Sequence, residues 1–329
     1  MSIPYTTASW NPVVGCIGCL DVGSACWALA MAKRQAVNPK TKPETRAAYR
    51  KALSADGERW SGEVIPIPSR LQEPLGWRTP RIVAVNFMGD LAHADAETIR
   101  RVFGVMAQAT KHQFLVLTKW PAQLIANLFV SNVWCGPVRG HDHFANVWFG
   151  TSATDQATYD SRVAQLCDPE TGWPGKTCVS LEPCLGPVDL MRPFTRGKPL
   201  IENLGPGVRS RWVTAVMVER TGLKMPDWII AGSADTLAHG AAAFTPEIAR
   251  SIVAQRKAAG VPAWIKQALR WICVACGTWV WEQEPNCPAC GGRLRPSVEV
   301  PWFGDDDGGS ILEAPEPIAA ILRREGKLV

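Results

Sequence analysis

RIVAVNFMG (81–89), AETIRRVFGVMAQA (96–109) and QFLVLT (113–118) follow one another in the middle of the chain. The first and third are continuous apolar runs of strand length, and the middle one repeats its apolar residues at helical spacing. Strand, helix and strand in so short a stretch describe one crossover unit, which joins parallel neighbours. The alternation continues towards the C-terminus. Pro121 opens the next helix, NVWFGTSA (146–153) precedes a helix over 156–166, and KTCVSLEP (176–183) leads into a polar loop at 191–210. RWVTAV (211–216), DWIIAGSA (227–234), a helix over 246–258 and VPAWIKQ (261–267) complete the series. Such a succession predicts an α/β fold with a parallel sheet closed or partly closed into a (β/α) barrel. An open doubly wound sheet is the alternative, and no early GxGxxG favours it.

Upstream lies SWNPVVGCIGCLDVGSACWALAMAKR (9–34). Residues Ala25 to Arg34 contain no Gly or Pro and read as a helix, with Trp27, Leu29 and Met31 supplying apolar bulk. Before it, Cys16, Cys19 and Cys26 sit in a glycine-studded loop. Three thiolates at a helix N-terminus can ligate an iron–sulfur cluster, because the helix dipole offsets part of their charge. Three ligands on a 4Fe–4S cluster leave one iron open to a small molecule. The competing reading is three ordinary buried thiols.

The wider composition sets the class. With 329 residues, 47% hydrophobic and 20% charged, the chain has ample material for a large core. No apolar run reaches membrane-spanning length, and MSIPYTTASW lacks the basic-then-apolar order of a secretion signal. A cytoplasmic protein with no membrane partner is expected. Eleven cysteines, mostly at metal-ligand spacings, suit that reducing compartment. The net charge of +5 is compatible with nucleic acid without requiring it. Fifteen tryptophans are expected mostly in the core, with a few able to stack bases. The basic stretch at 35–60 reads as a helix, Glu44 to Ala55, with a solvated charged face.

Active residues of a (β/α) barrel gather at the C-terminal ends of strands. Those ends carry Asp90, Lys119, Thr151, Ser152, Glu182, Ser233, Lys266 and Gln267. Lys119, Glu182 and Lys266 are the candidate catalytic groups. Ser152 and Ser233 are candidates for holding an amino-acid-like cofactor. Cys135, Cys167, Cys178 and Cys184 lack ligand spacing and read as packing thiols, although Cys184 could face the barrel mouth.

Near the C-terminus, Cys273-x-x-Cys276 and Cys287-x-x-Cys290 form two knuckles separated by ten residues. Four thiolates so spaced predict a closed tetrahedral Zn2+ site that contributes to folding. Rubredoxin-like iron is an alternative, and an auxiliary iron–sulfur cluster a remoter one. TWVWEQ (278–283) alternates apolar and polar residues as a hairpin strand does. Arg270, Arg293 and Arg295 beside Trp271, Trp279 and Trp281 suit either nucleic-acid contact or a small stapled module. The expected organisation is a barrel over 1–268, a zinc-ribbon module over 269–300, and a tail over 301–329. That tail holds the loop GDDDGGS (304–310) and a helix near 316–325.

WNPVVGC (10–16) and CWALAMAKR (26–34) resemble the opening of a phage- and prophage-associated radical S-adenosylmethionine (SAM)-like family, long filed as a phage domain of unknown function. The resemblance continues in order through RLQEPLGWRTPRIVAVNFMGDLAH (70–93), FLVLTKWP (114–121), NVWFGTSATDQ (146–156), VSLEPCLGPVDL (179–190), DWIIAGSA and VPAWIKQ. It implies a partial, TIM-like barrel of radical SAM type, a 4Fe–4S cluster and S-adenosyl-L-methionine. It further implies that Met88, Gly89 and Asp90 hold the methionyl amino group of that cofactor. The cluster would cleave SAM reductively to a 5′-deoxyadenosyl radical, with electrons from a flavodoxin- or ferredoxin-like reductant protein. The reaction would be of isomerase or lyase type, on a substrate such as an amino-acid-bearing thymidine in phage DNA. The chain departs from the family where its middle cysteine is expected, since position 23 is Gly23. Cys19 is the spare thiol that can replace it. AGSADT (231–236) also departs from the glycine-rich, Glu-containing form of that loop. The alternative function is a nucleic-acid-binding or DNA-repair accessory protein with barrel and zinc ribbon as scaffold.

Overall fold

The computed structural model describes residues 5–18, 26–133, 144–168, 172–173, 175–195, 224–232, 244–265, 270–273, 275–276, 279–280, 286–297 and 314–327. Strand β1 (Ala8–Trp10) leads to β2 (Val13–Val14), α1 (Trp27–Val37), α2 (Pro43–Ala52) and β3 (Ile65–Pro66). The repeating part follows as β4 (Ile82–Val85), α3 (Ala96–Gln108), β5 (Gln113–Thr118), α4 (Pro121–Val130), β6 (Val147–Ala153), α5 (Gln156–Leu166) and β7 (Lys176–Leu181). Then come α6 (Arg192–Thr195), β8 (Trp228–Ala231), α7 (Pro246–Ala259) and β9 (Ala263–Ile265). The C-terminal elements are β10 (Arg270–Cys273), β11 (Trp279–Val280), β12 (Leu294–Ser297) and α8 (Ile318–Arg324).

Seven strands form one parallel sheet in the order β1-β4-β5-β6-β7-β8-β9. Each strand of the run is paired to the next in the chain, and the sheet curls into a half-barrel with β1 and β9 at its edges. The open doubly wound alternative requires strand order to reverse at a switch point, and here it does not. β2 and β3 form a small antiparallel pair beside the β1 edge. The expected strand RWVTAV, Cys135 and the GDDDGGS loop lie outside the described residues.

Local chemistry explains most element ends. Asp95 caps α3 by accepting from the Thr98 N–H at 2.7 Å, and Asp155 with Thr158 forms a reciprocal capping box on α5. Thr245 caps α7, which ends at Gly260 with φ +68°. β4 stops before the expected run does, because Asn86 turns left-handed at φ +57°, a conformation Asn tolerates better than most residues. α2 stops at Ala52, short of Ala55, where Leu53 bridges back to Trp60. α1 runs later than expected and leaves Trp27 53% exposed. Its buried stripe is Ala28, Leu29, Ala32 and Ala36, the set that a 3.6-residue repeat brings to one side.

The two faces of the sheet are packed differently. Val83, Val85, Phe114, Val116, Val147, Phe149, Val179 and Leu181 meet the inner stripes of α3, α4 and α5 in the main core. The opposite, concave face presents Ile82, Leu115, Trp148, Cys178, Trp228, Ile230 and Trp264, joined by Tyr5 and by Ile318, Ile321 and Leu322 of α8. The helix expected in the tail therefore belongs to the barrel interior. Arg324 donates to the Pro80 carbonyl at 2.7 Å and Lys327 to that of Thr6 at 2.5 Å, which pins α8 near the N-terminal ends of β4 and β1. The apolar filling thus lies low in the half-barrel. The C-terminal ends of the strands remain for polar residues.

Candidate functional site

Two glycines join the cysteine loop to the turn after β4. Gly15 and Gly89 form an isolated parallel bridge, in which the Asp90 N–H donates to the Gly15 carbonyl at 3.3 Å and the Gly15 N–H to that of Met88 at 3.4 Å. A Cβ on Gly89 would lie 2.2 Å from the Gly15 oxygen. Gly15 itself has φ +109°, and a Cβ on it would meet the Glu63 carbonyl oxygen at 2.1 Å. Both positions therefore demand the absence of a side chain. Asn11, at the end of β1, adds a third tie by accepting from the Met88 N–H at 3.0 Å. Cys16 is consequently held beside the Met88-Gly89-Asp90 turn.

The Cys16 sulfur accepts from the Gly18 N–H at 3.3 Å. Cys26 occupies the N-cap position of α1, where its side chain caps no backbone group. Neither is in a disulfide. Cys19 and Gly23 lie outside the described residues, as do Ser233, Lys266 and Gln267.

Asp90 is 6% exposed and its carboxylate is already engaged. It accepts from the Ala92 N–H at 3.0 Å, from the Thr118 hydroxyl at 2.7 Å and from the Lys119 N–H at 2.9 Å. The geometry displayed is that of a cap on the single turn Leu91–His93 which also clamps the end of β4 to that of β5. Beside it His93 packs edge-on to Trp120 with ring centroids 5.5 Å apart. Burial lowers the His93 pKa, and the Asp90 charge works against that shift.

Strand register gathers the other candidates. Thr118 pairs with Thr151 and Ser152 with Ser180, so Lys119, Ser152 and Ser180 fall on one rung, which continues through Ile230 and Trp264. Alternation assigns this rung to the face that bears Leu115, Trp148 and Cys178, with Glu182 one step higher. Gly150 lies on the same face, where an added Cβ would meet Leu117 Cδ2 at 2.4 Å and Cys178 Sγ at 2.5 Å. Thr151 has the opposite parity and is fully buried, its hydroxyl donating to the Thr118 carbonyl at 2.8 Å. It is removed from the mouth.

Glu182 is positioned by two residues that no sequence motif marks. Tyr5 Oη and Ser180 Oγ each donate to Glu182 Oε2 at 3.0 Å. Burial first, and the Glu182 charge second, push the Tyr5 pKa well above its ordinary value, so Tyr5 stays a neutral donor. Strand alternation back from Glu182 points to Ser180. Tyr5 has no local signal, being 177 residues away. Cys178 and Cys184 are buried thiols, as expected; burial pushes Cys184 up to about 11, and it donates to the Gly186 carbonyl at 3.2 Å.

Near the C-terminus, β10 pairs antiparallel with β11 and β12. The sulfurs of Cys276, Cys287 and Cys290 all lie within 4.8 Å of one another, with Cys276 and Cys287 at 3.8 Å. Two Zn–S bonds of about 2.3 Å at the tetrahedral angle place sulfurs about 3.8 Å apart, so this cluster can hold a metal ion such as zinc. Gly291, at φ +71°, turns the chain so that its N–H donates to the Cys287 carbonyl at 2.8 Å. Cys273 lies at the end of β10 opposite Leu294; its side chain is outside the described residues.

Fold and site together define an α/β half-barrel protein with a cysteine-bearing antiparallel module that can take a metal. The chain belongs to the family described as "Protein of unknown function (DUF5131)", whose model matches residues 1–296. No curated protein and no solved structure matches it. Among the described residues, no helix is long and apolar enough to cross a membrane.

Proposed function

We propose that this protein is a radical SAM enzyme whose cofactor site is built where the cysteine loop meets the turn after β4. The observation that carries this reading is the backbone bridge between Gly15 and Gly89, which sets Cys16 beside Met88-Gly89-Asp90 at the open end of the half-barrel. The donor set suits an iron–sulfur cluster: Cys16 and Cys26, with Cys19 as the third thiol on the same loop. With SAM bound, such a cluster would supply the one-electron chemistry that cleaves SAM reductively, the electron coming from an external reductant protein. The protein's own residues do the holding. Gly89 admits the Gly15 backbone and so brings the cysteine loop to the turn, and Ser152 and Lys119 lie on the concave rung that ends in Trp264. Glu182, fixed by Tyr5 and Ser180, offers an acceptor that orients a donor group of the substrate. The Cys276–Cys287–Cys290 cluster, completed by Cys273, would hold structural zinc. A nucleobase, in DNA or as a nucleotide, is the substrate class proposed.

The test is anaerobic reconstitution of the full chain with iron and sulfide, followed by assay of cluster content and reductant-driven 5′-deoxyadenosine formation. Both are expected in the wild type and absent in Cys19→Ala. Gly23→Cys on that background restores a six-then-two cysteine spacing and is expected to recover both. A wild type that takes up no iron would overturn the reading and leave the scaffold alternative.

A further inference from the structure

The chain's positive charge is concentrated in one place. Residues 33–51 hold seven Lys and Arg against a single Glu, an excess of six, where the whole chain has an excess of five. This segment is the end of α1, its turn and most of α2. Part of the charge is committed: Lys33 pairs with Glu58 and Lys51 with Glu63, while Arg46 and Arg50 donate to backbone carbonyls at Asn38 and Ala36. Lys40 and Lys42 are exposed and have no such partner among the described residues. Both line a cleft of about 470 Å³ that runs between α1 and α2 down to Asn11 and Met88.

The floor of that cleft is polar. Tyr49 is 3% exposed and Thr45 is 7% exposed, both line the cleft, and neither hydroxyl has a hydrogen-bond partner among the described residues. Burial raises the Tyr49 pKa, so its hydroxyl remains a donor; Arg70, on the same wall, pulls the other way. Both residues are otherwise buried and lie on the cleft wall, where their hydroxyls are open to a ligand. At the rim, α2 begins with Pro43 and its N-cap residue Lys42 supplies no side-chain cap, while Glu44 in the first turn accepts from the Ser69 N–H at 3.5 Å. Two free lysines, an uncapped helix start and two hydroxyl donors together suit a phosphate, the one carboxylate lining the cleft among the described residues, Glu73, being paired with Arg70 at 3.4 Å. Met31 and Met88 offer polarizable walls for a flat ring, and the volume lies within the ordinary range of ligand pockets, about 300–1,000 Å³.

We infer that the cleft between α1 and α2 binds a nucleotide, its phosphate at Lys40, Lys42 and the start of α2, and its base against Met31 and Met88 over Tyr49. This cleft shares Met88 with the turn of the proposed cofactor site and no lining residue with the rung of Lys119 and Glu182, and the inference does not depend on radical chemistry. It does have a route to the other site, because Asn11 lines the cleft and accepts from the Met88 N–H in the turn beside Gly15 and Gly89.

The source of the nucleotide is decided by the probes. Full-length protein is titrated with thymidine monophosphate and with inorganic phosphate by calorimetry, and with a fluorescein-labelled single-stranded oligothymidylate by anisotropy, at several salt concentrations. Saturable nucleotide binding is expected, with inorganic phosphate at least tenfold weaker. Lys40→Ala/Lys42→Ala is expected to weaken it tenfold or more and to flatten its salt dependence. Tyr49→Phe, which removes one oxygen and keeps the packing, is expected to weaken it several-fold with the salt dependence unchanged. An oligothymidylate bound at least tenfold more tightly than the monophosphate identifies a strand as the ligand; equal affinities identify a free nucleotide. No saturable binding at low salt, phosphate binding as well as the nucleotide, or binding indifferent to both variants overturns the inference.

Discussion

Replacing Gly89 by Ala tests the joint on which the proposed site rests. The new Cβ would lie 2.2 Å from the Gly15 oxygen, 3.1 Å from its carbonyl carbon and 2.9 Å from its nitrogen. These are backbone atoms, so no rotamer change can relieve the contact. Gly15 cannot retreat either, because the Glu63 carbonyl is packed where its own Cβ would be. Overpacking of this kind costs about 1–3 kcal/mol. The two hydrogen bonds of the bridge, at 3.3 and 3.4 Å, are long, so their loss adds towards the low end of about 0.5–1.5 kcal/mol each. The sum is a destabilisation of about 2–4 kcal/mol, a fall in Tm of roughly 3–6 °C for a chain of this size. Gly104→Ala is the control. Gly104 lies inside α3 with nothing within 4 Å of an added Cβ, so this change is expected to raise stability by about 1 kcal/mol. Thermal unfolding followed by circular dichroism reads both variants, and iron content after reconstitution reads the cysteine loop. Gly89→Ala with wild-type Tm and wild-type iron uptake would refute the claim that the bridge holds Cys16 in place.

Asp90→Ala strands the Thr118 hydroxyl and two backbone N–H groups in a buried site and is expected to cost about 2–4 kcal/mol; a Tm within a degree of wild type would remove its role as the clamp between β4 and β5. Cys287→Ser is expected to lower bound zinc while leaving reconstituted iron at the wild-type level, as read by metal analysis; simultaneous loss of both metals would contradict two independent sites. His112 receives the Arg81 N–H on Nδ1 at 3.1 Å and contacts the Pro74 carbonyl through Nε2 at 3.0 Å, an arrangement that requires the neutral ring. Burial lowers its pKa below 6.5, so the unfolded chain binds the proton first and stability is lost as pH falls through 6.5 towards the folded pKa. Tm measured from pH 7.5 to 5 is expected to drop less steeply in His112→Gln than in wild type, and parallel curves would exclude His112 as the cause.

Elements built from near neighbours are legible in the amino-acid sequence itself. The apolar runs that form β4 to β9 and the helices at 96–108, 121–130, 156–166 and 246–259 follow from periodicity and capping within a few residues. The two cysteine knuckles are equally local, and three of their sulfurs do converge. Lys119, Ser152 and Glu182 stand out at strand ends, and register aligns the first two on a rung with Ser180 and sets Glu182 one step above it. Other features depend on where distant strands meet. That Gly15 touches Gly89, that Asp90 reaches Thr118, that Tyr5 crosses to Glu182, and that α8 enters the concave core are matters of pairing and closure. No residue's own chemistry announces them. An aspartate after a strand looks the same in the sequence whatever it bonds; the hydroxyl and the amide that Asp90 meets are brought by the neighbouring strand.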